Sequence, residues 1–282
     1  MKRVLIPTDF SDNAWNTIMY AMQLYKNIPC EFYLLNTYEL KPIQLLNTVS
    51  SQRVGHFYDT IRIDSEKGLK RTLDDIKATM PQVHHTFKTV TKSGSLLSNI
   101  DQLMKSVFFD MIIIGTKGAN GAKEVFIGST TQKVISTIKN CPVLIIPEEA
   151  RFQKITTLAF ATDFERVYYT SEIEPIIYFA KHFDASVKMI HVKEDSVFNE
   201  VQHYNANVLE EFFKNLDYDI HTANDSTSIK NEIQKLVEKV AADLLIMINY
   251  EHSFIERLTR EAVIKKMTFH TEIPFLVIPS DN

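Results

Sequence analysis

The stretch GTKGANGAKEVFIGSTTQ, residues 115–132, carries the strongest signal of fold and function in the sequence. It continues the apolar run MIIIG, residues 111–115, and it holds four of the chain's seven glycines. An apolar run followed by glycines and then by GSTT indicates a buried strand, a loop and a capped helix start. Because glycine lets backbone N–H groups approach a ligand and a helix N-terminus favours phosphate, the stretch predicts a phosphate-binding loop. The alternative is a flexible surface loop before a capped helix.

Four apolar segments of the first half recur in the second half in the same order, which is the signature of an internal repeat. We therefore predict two copies of one domain, residues 1–147 and 152–282, joined by a short linker. The matched segments are KRVLIPTDFSDNA (2–14) with ITTLAFATDFERV (155–167), EFYLLNTYE (31–39) with SVKMIHVKE (186–194), FDMIIIG (109–115) with ADLLIMI (242–248), and CPVLIIP (141–147) with IPFLVIP (273–279).

Each copy alternates short apolar strands with helices, and such strands indicate parallel pairing with burial on both faces. With right-handed crossovers this gives an α/β, Rossmann-like, doubly wound open sheet, in which ligands bind beyond the carboxyl ends of the strands. The glycine-rich stretch follows such an end. In the first copy we predict strands at 4–8, 31–37, 86–90, 111–114 and 143–146, and helices at 11–25, 65–80, 95–108 and 129–138.

Composition excludes several classes of protein. The formal net charge is −4 and no Lys/Arg run occurs, which argues against a nucleic-acid binder. No stretch approaches the 18 or so apolar residues of a membrane span, and the N-terminal apolar run is too short for a signal peptide. The two distant cysteines suggest a reducing compartment and small buried side chains. We expect a cytoplasmic protein that binds neither nucleic acid nor membrane.

Two common phosphate motifs are absent from the sequence. A Walker A loop needs Gly-Lys-Ser/Thr, which occurs nowhere, and a dinucleotide fingerprint needs glycines after the first strand, where the chain reads PTDFSDN.

Three segments instead resemble the universal stress protein family of nucleotide-binding α/β domains. They are PTDFS after the first strand, LLNTY at the end of the second, and G-x2-G-x9-G-S-T-T after the fourth; the final CPVLIIP is also similar to that family's last strand. The resemblance implies two tandem doubly wound five-stranded parallel-sheet domains with strand order 3-2-1-4-5. It also implies ATP between the ends of the first, second and fourth strands.

The same resemblance assigns roles to individual residues. Asp9 would accept a hydrogen bond from the ribose, with a helix cap as the alternative, and Thr37 would meet the adenine through its backbone, unless it is a plain strand residue. A cation, Lys117, lies between the first two glycines, and Mg²⁺ would arrive with the phosphates. The implied nucleotide-binding residues are Pro7, Thr8, Asp9, Thr37, Gly115, Lys117, Gly118, Gly128, Ser129, Thr130 and Thr131, the last four with free N–H and hydroxyl donors for the phosphate tail.

The second copy departs from the motif. It reads INYEHSFIERLTREAVIKK over residues 248–266, without the motif glycines and with the carboxylate of Glu261 where the helix should begin. We predict that this copy binds no ATP and pairs with the first as a built-in pseudo-dimer, each last strand covering the other's exposed edge. Whether whole chains pair further into a homodimer stays open.

The histidines and residues 39–63 give less specific predictions. Six of the nine histidines lie in the second half, and His191 and His252 would fall on the ligand-facing edge, but no metal-binding spacing occurs and scattered histidines are usually surface or core groups. Residues 39–63 lack clean periodicity and predict a lid or an element that binds a protein partner.

The function that these patterns favour is an ATP-binding regulatory or stress-response protein without robust catalysis. The alternatives are an ATPase or nucleotidyl-transferring enzyme, and an interaction scaffold with a vestigial nucleotide site. The sequence does not name a protein partner.

Overall fold

The computed structural model describes residues 1–39, 51–81, 84–116, 128–193, 197–224, 229–250 and 273–281. Strands and helices alternate through both halves of the chain, as the sequence predicts. The elements are β1 Lys2–Pro7, α1 Asp12–Leu24, β2 Cys30–Tyr38, α2 Ser51–Thr79, β3 Thr86–Ser93, α3 Leu96–Met104, β4 Met111–Gly115, α4 Ser129–Thr137, β5 Val143–Ile146, β6 Thr157–Ala161, α5 Thr170–Phe183, β7 Ser186–Lys193, α6 Glu200–Phe213, β8 Tyr218–Asn224, α7 Ile229–Lys239, β9 Leu244–Asn249 and β10 Phe275–Pro279.

Within the described ranges the strands form one ten-stranded sheet in the order β3-β2-β1-β4-β5-β10-β9-β6-β7-β8. The first half therefore has the order 3-2-1-4-5, and the second half repeats it in mirror sequence across the sheet. All pairs within each half are parallel; Val4 of β1, for example, is registered with Phe32 of β2 and Met111 of β4. The predicted doubly wound fold is confirmed, while the division at residues 147 and 152 stays a prediction.

The two halves join through their last strands, as predicted. β5 and β10 pair antiparallel, with Leu144 opposite Leu276 and Val143 opposite Val277. Each of these strands would otherwise present a row of unpaired backbone N–H and C=O groups at the edge of its own half-sheet. The β5–β10 pairing removes both edges, because the backbone groups of each strand bond to those of the other.

The strands are buried on both faces because helices cover both sides of the sheet. Val4 and Ile6 of β1 lie in one apolar cluster with Ile18 of α1, whereas Leu5 lies in a second cluster with Val134 of α4. This alternation follows from the period of two along a strand. It explains why the strands read as continuous apolar runs.

Both cysteines are buried and reduced, which confirms that they act as small core side chains. Cys30 and Cys141 are 0% exposed. Burial raises the pKa of each thiol to about 12, so both stay protonated at neutral pH.

Two helix bounds differ from the sequence prediction. α2 begins at Ser51 instead of residue 65, and α3 ends at Met104 instead of residue 108. Residues 58–64 of α2 are mostly exposed, and regular burial begins only at Ser65. Gly55 lies inside the part of α2 that precedes Ser65 and weakens a helix prediction, which is why this part escaped detection.

The described part of residues 39–63 is therefore helical from Ser51 onwards, and residues 40–50 lie outside the described ranges. In the part of the chain that the structure describes, no helix combines the length and the apolar character needed to cross a membrane.

Candidate functional site

The ends of β1, β2 and β4 and the start of α4 meet at one edge of the sheet. The N–H of Thr8, just beyond β1, donates to Leu35 O of β2 at 2.8 Å. The N–H of Gly128 donates to Thr116 O, just beyond β4, at 2.5 Å. β1 lies between β2 and β4, so the predicted residues of the described chain share one edge. Lys117 and Gly118 lie outside the described residues.

Within the described residues, no side chain caps the N-terminus of α4. Its N-cap residue is Gly128, which has no side chain to accept a bond from the first-turn N–H groups. These N–H groups have no acceptor within the helix. Ser129 and Thr130 are exposed and Gly128 is half-buried. A helix end of this kind favours an anion.

Thr131 differs from the expectation that its hydroxyl faces a phosphate. The residue is 3% exposed, and its Oγ1 donates to Gly115 O at 2.9 Å. This bond ties the first turn of α4 to the end of β4. Thr131 therefore fixes the position of the helix start, and only its backbone N–H remains as a first-turn donor.

Gly115 also has a role that the sequence did not reveal. A Cβ at this position would lie 2.7 Å from Asn13 Nδ2 and 2.9 Å from Thr17 Oγ1, both on α1. Such distances are shorter than ordinary contacts, so a Cβ at residue 115 would force the buried side chains of Asn13 and Thr17 to shift and would disturb the packing of α1 on β4. Close approach to a nucleotide is a second, independent reason for the same residue.

We expect Gly115→Ala to lower the free energy of unfolding by about 1–3 kcal/mol, because the added methyl group overpacks a buried contact. Urea denaturation without nucleotide measures the change. Gly128→Ser is the control: Gly128 has a φ of −58°, which suits any residue, and serine is a good N-cap, so its stability should stay close to wild type. Equal stability of the two variants would contradict the packing role of Gly115.

Two further polar groups at this edge can serve a ligand. Thr116 is 2% exposed, and its Oγ1 has no hydrogen-bond partner in the described structure. In β2, Leu35 O accepts a bond from the β1 side; because alternate residues of a strand direct their backbone groups to the same side, Thr37 also directs its N–H and C=O there. The last β1 pair is Pro7 with Leu35, so the backbone of Thr37 lies beyond the end of β1.

The Thr-Asp-Phe sequence after β1 forms a turn that holds Phe10 at a φ of +64°. Thr8 Oγ1 accepts from the Phe10 N–H at 3.1 Å, and Asp9 Oδ1 accepts from the N–H and hydroxyl of Ser11 at 3.1 and 2.6 Å. Ser11 is the N-cap of α1, as predicted, and its Oγ accepts from Ala14 N. Asp9 thus orders the turn without itself being the cap, and it is exposed at the sheet edge.

The Thr-Asp-Phe sequence of the second half, residues 162–164, forms the same turn. Phe164 has a φ of +59°, Thr162 Oγ1 accepts from its N–H, and Asp163 Oδ1 accepts from the Glu165 N–H. Because the turn occurs in the half without the glycine motif, Thr-Asp-Phe alone is not a ligand signature.

A buried polar network behind the first turn was missed at the sequence level. Asn36 Nδ2 donates to Thr8 O at 2.7 Å, Ser65 Oγ donates to Asn36 Oδ1 at 2.6 Å, and Ser65 Oγ lies 3.1 Å from Thr91 Oγ1. The network anchors the end of β1 to β2, α2 and β3. The available signal in the sequence was Asn36, a polar residue inside the apolar run LLNTY.

His191 occupies the place of Asn36 in the second half. It is 4% exposed, and its Nδ1 donates to Thr162 O at 2.8 Å, as Asn36 donates to Thr8 O. Its ring packs against Phe164 and Phe198. This is a structural core histidine. The described residues contain no cluster of histidine, cysteine and carboxylate groups that could hold a metal, and His252 lies outside them.

Side chains fill the corresponding sheet edge in the second half. Tyr250, directly after β9, bonds through its hydroxyl to Asp163 Oδ2, and the Arg166 guanidinium lies 4.9 Å from the centre of the Tyr250 ring. Arg166 also forms a 2.6 Å ion pair with Glu172, whose side chain is 0% exposed. Burial raises the pKa of Tyr250 well above its usual range, with a further contribution from Asp163, so the hydroxyl remains a donor. The counterpart of Asp9 is therefore engaged by protein groups; residues 251–272, including Glu261, lie outside the described ranges.

The sequence model of the universal stress protein family matches residues 1–147, just over half of the chain. The chain belongs to the universal stress protein family. The match covers the half that carries the intact glycine motif and the uncapped α4.

Relatives and solved structures agree with this assignment. The universal stress protein YxiE of Bacillus subtilis strain 168 is 26% identical over 145 residues, which are 51% of this chain and 97% of that protein. A universal stress protein of Methanocaldococcus jannaschii is 23% identical over 145 residues, 51% of this chain and 81% of the relative. The crystal structure of a universal stress protein from Archaeoglobus fulgidus DSM 4304 superposes with a TM-score of 0.69 at 15% identity, covering 98% of this chain and 96% of the other. This last likeness extends the shared fold across both halves.

Proposed function

We propose that this universal stress protein binds one ATP, with Mg²⁺ on its phosphates, at the carboxyl edge of the first half-sheet and acts as a cytoplasmic regulator. The observation that carries the proposal is the uncapped N-terminus of α4, fixed to the end of β4 by the Gly128–Thr116 and Thr131–Gly115 hydrogen bonds. First-turn N–H groups that no described side chain caps, at a buried strand end, favour a phosphate. The unpartnered Thr116 Oγ1 adds hydrogen-bonding capacity at the same place.

The adenosine side would lie toward β1 and β2. Pro7 and Thr8 are buried there and give a fixed wall, while Asp9 is exposed and held by its own turn. The backbone of Thr37, which extends past the end of β1, would meet the adenine edge. Lys117 and Gly118 would complete the phosphate side, with Gly115, Ser129 and Thr130. Mg²⁺ would neutralise phosphate charge.

We propose regulation in preference to catalysis because the carboxylate nearest the end of β1 is used structurally. Asp9 Oδ1 accepts two bonds from Ser11, which orient the carboxylate and use this oxygen to order the turn. The enzyme alternative is tested by ATP turnover: hydrolysis that Asp9→Ala abolishes, while ATP still binds, would favour it.

Calorimetric titration of the nucleotide-free full chain with Mg-ATP tests the proposal. We expect one site per chain. Two sites would show that the second half also binds nucleotide, despite the Arg166–Tyr250 stack. No binding by a folded wild-type chain would overturn the ATP proposal and favour the scaffold alternative.

A further inference from the structure

α4, whose N-terminus forms the proposed phosphate site, rests on both halves of the molecule. Its buried residues Val134 and Ile135 belong to one apolar cluster with side chains from both sides of the β5–β10 junction. The helix spans nine residues, or about 13 Å at 1.5 Å per residue, so its two ends move together. The cluster members from the strands at the junction are Val143 and Ile145 of β5, Leu245 and Met247 of β9, and Phe275 and Val277 of β10.

The second half also bonds directly to the C-terminal end of α4. Asn249, the last residue of β9, is 3% exposed, and its Nδ2 donates to Ile135 O at 3.1 Å. Ile135 lies in the last turn of α4, where a carbonyl group receives no hydrogen bond from an N–H group within the helix. The chain leaves the helix at Ile138 with extended dihedral angles, and the Ile138 N–H bonds only to Val134 O. The amide of Asn249 therefore satisfies a helix-end carbonyl from the other half.

Asn249 occupies the place that Thr116 holds in the first half. Leu244 is registered with Leu158 of β6, as Met111 is with Val4 of β1, and five residues further on stand Asn249 and Thr116. At the same position, one half thus presents a hydroxyl that has no partner among the described residues, and the other presents a donor that reaches the helix of the proposed site.

We propose that Asn249 is a positioning residue for the nucleotide site, through which the second half sets the affinity of the first half for the triphosphate. It holds the C-terminal end of α4 and so fixes the first-turn N–H groups at the opposite end. This inference rests on the proposed function, and it gives the half without the glycine motif a role in the site of the other half.

The test compares ATP with adenosine in two variants of the full chain. Asn249→Ala removes the amide, and Asn249→Asp keeps its shape but removes the donor; either variant that folds suffices. We expect ATP to bind about 10-fold more weakly, because a displaced helix end weakens charge-assisted bonds to phosphate. Adenosine, which does not reach α4, should bind within about twofold of wild type. Calorimetric titration and competition measure both affinities.

Asn16→Ala is the matched control at the junction of the halves. Asn16 Nδ2 donates to Ala150 O at 2.9 Å, and Arg151 donates to Asn16 Oδ1, so this residue holds the linker through bonds that do not involve α4. Its variant should keep the wild-type ratio of ATP to adenosine affinity. Equal losses of ATP and adenosine affinity in the Asn249 variants, or unchanged ATP affinity, would overturn this inference alone. A folded wild type that binds no ATP would overturn the proposed function and the inference together.

Discussion

Gly128→Glu is expected to weaken ATP binding by more than about 100-fold while the protein stays folded. A carboxylate about 5 Å from a phosphate charge costs roughly 3 kcal/mol at an effective dielectric constant of about 20. It would also occupy the helix end that the phosphate needs. The backbone at Gly128, with φ −58° and ψ 151°, accepts any residue, so no strain is added. Titration with Mg-ATP, alongside a thermal denaturation curve, gives both quantities.

Gly128→Gln separates charge from size in this experiment. It adds nearly the same volume at the same half-buried position and carries no charge. We expect it to retain ATP binding within about 10-fold of wild type, since only steric displacement remains. If glutamine and glutamate weaken binding equally, the effect is steric and the helix N-terminus is not the phosphate site.

Arg166→Met is expected to lower the free energy of unfolding by about 3–5 kcal/mol, because it leaves the buried Glu172 carboxylate without its partner. The ion pair is 2.6 Å long, and the two side chains are 11% and 0% exposed. Glu172 is also held by the N–H groups of Tyr169 and Asp281, at 3.0 and 3.2 Å. These bonds keep the carboxylate in place when the guanidinium is removed. Urea denaturation measures the loss.

Two comparisons make this prediction specific. Arg166→Met combined with Glu172→Gln removes the charge as well as its partner, and we expect it to recover most of the lost stability. Lys105→Met breaks an ion pair with Asp101 in which the lysine and aspartate side chains are 74% and 63% exposed. It should change the free energy of unfolding by less than about 1 kcal/mol. An Arg166→Met loss no larger than that of Lys105→Met would show that the filled edge of the second half does not depend on this ion pair.

The fold was largely accessible from the sequence because its signals are periodic and repeated. Apolar strands separated by helices gave the parallel sheet, and the repeat of CPVLIIP as IPFLVIP placed matching edge strands in the two halves. An edge that needs covering and an identical edge in the same chain predicted the β5–β10 pairing. The start of α2 at Ser51 was missed because Gly55 lies within its first turns and weakens a helix prediction.

The roles of individual site residues were less accessible, since one residue type serves several purposes. Gly115 suits a ligand and also lets Asn13 and Thr17 of α1 pack closely against β4. The hydroxyl of Thr131, which could serve a ligand, donates to Gly115 O instead. Asp9 orders a turn that Asp163 repeats in a half without the motif. A sequence motif indicates that a residue type matters at a position, but it does not show which neighbouring group the residue contacts.

By itself, the sequence determined the family and the repeated α/β fold, and it predicted the edge of the sheet where a ligand would bind, because period, repeat and glycine spacing are properties of the chain alone. The tertiary structure decided which side chains meet. It placed Tyr250 on Asp163, Arg166 against Glu172 and the amide of Asn249 on α4. The contact of Asn249 with α4 exists only when the two half-sheets have joined, whereas the other two contacts form when the second half folds, because packing brings their side chains together.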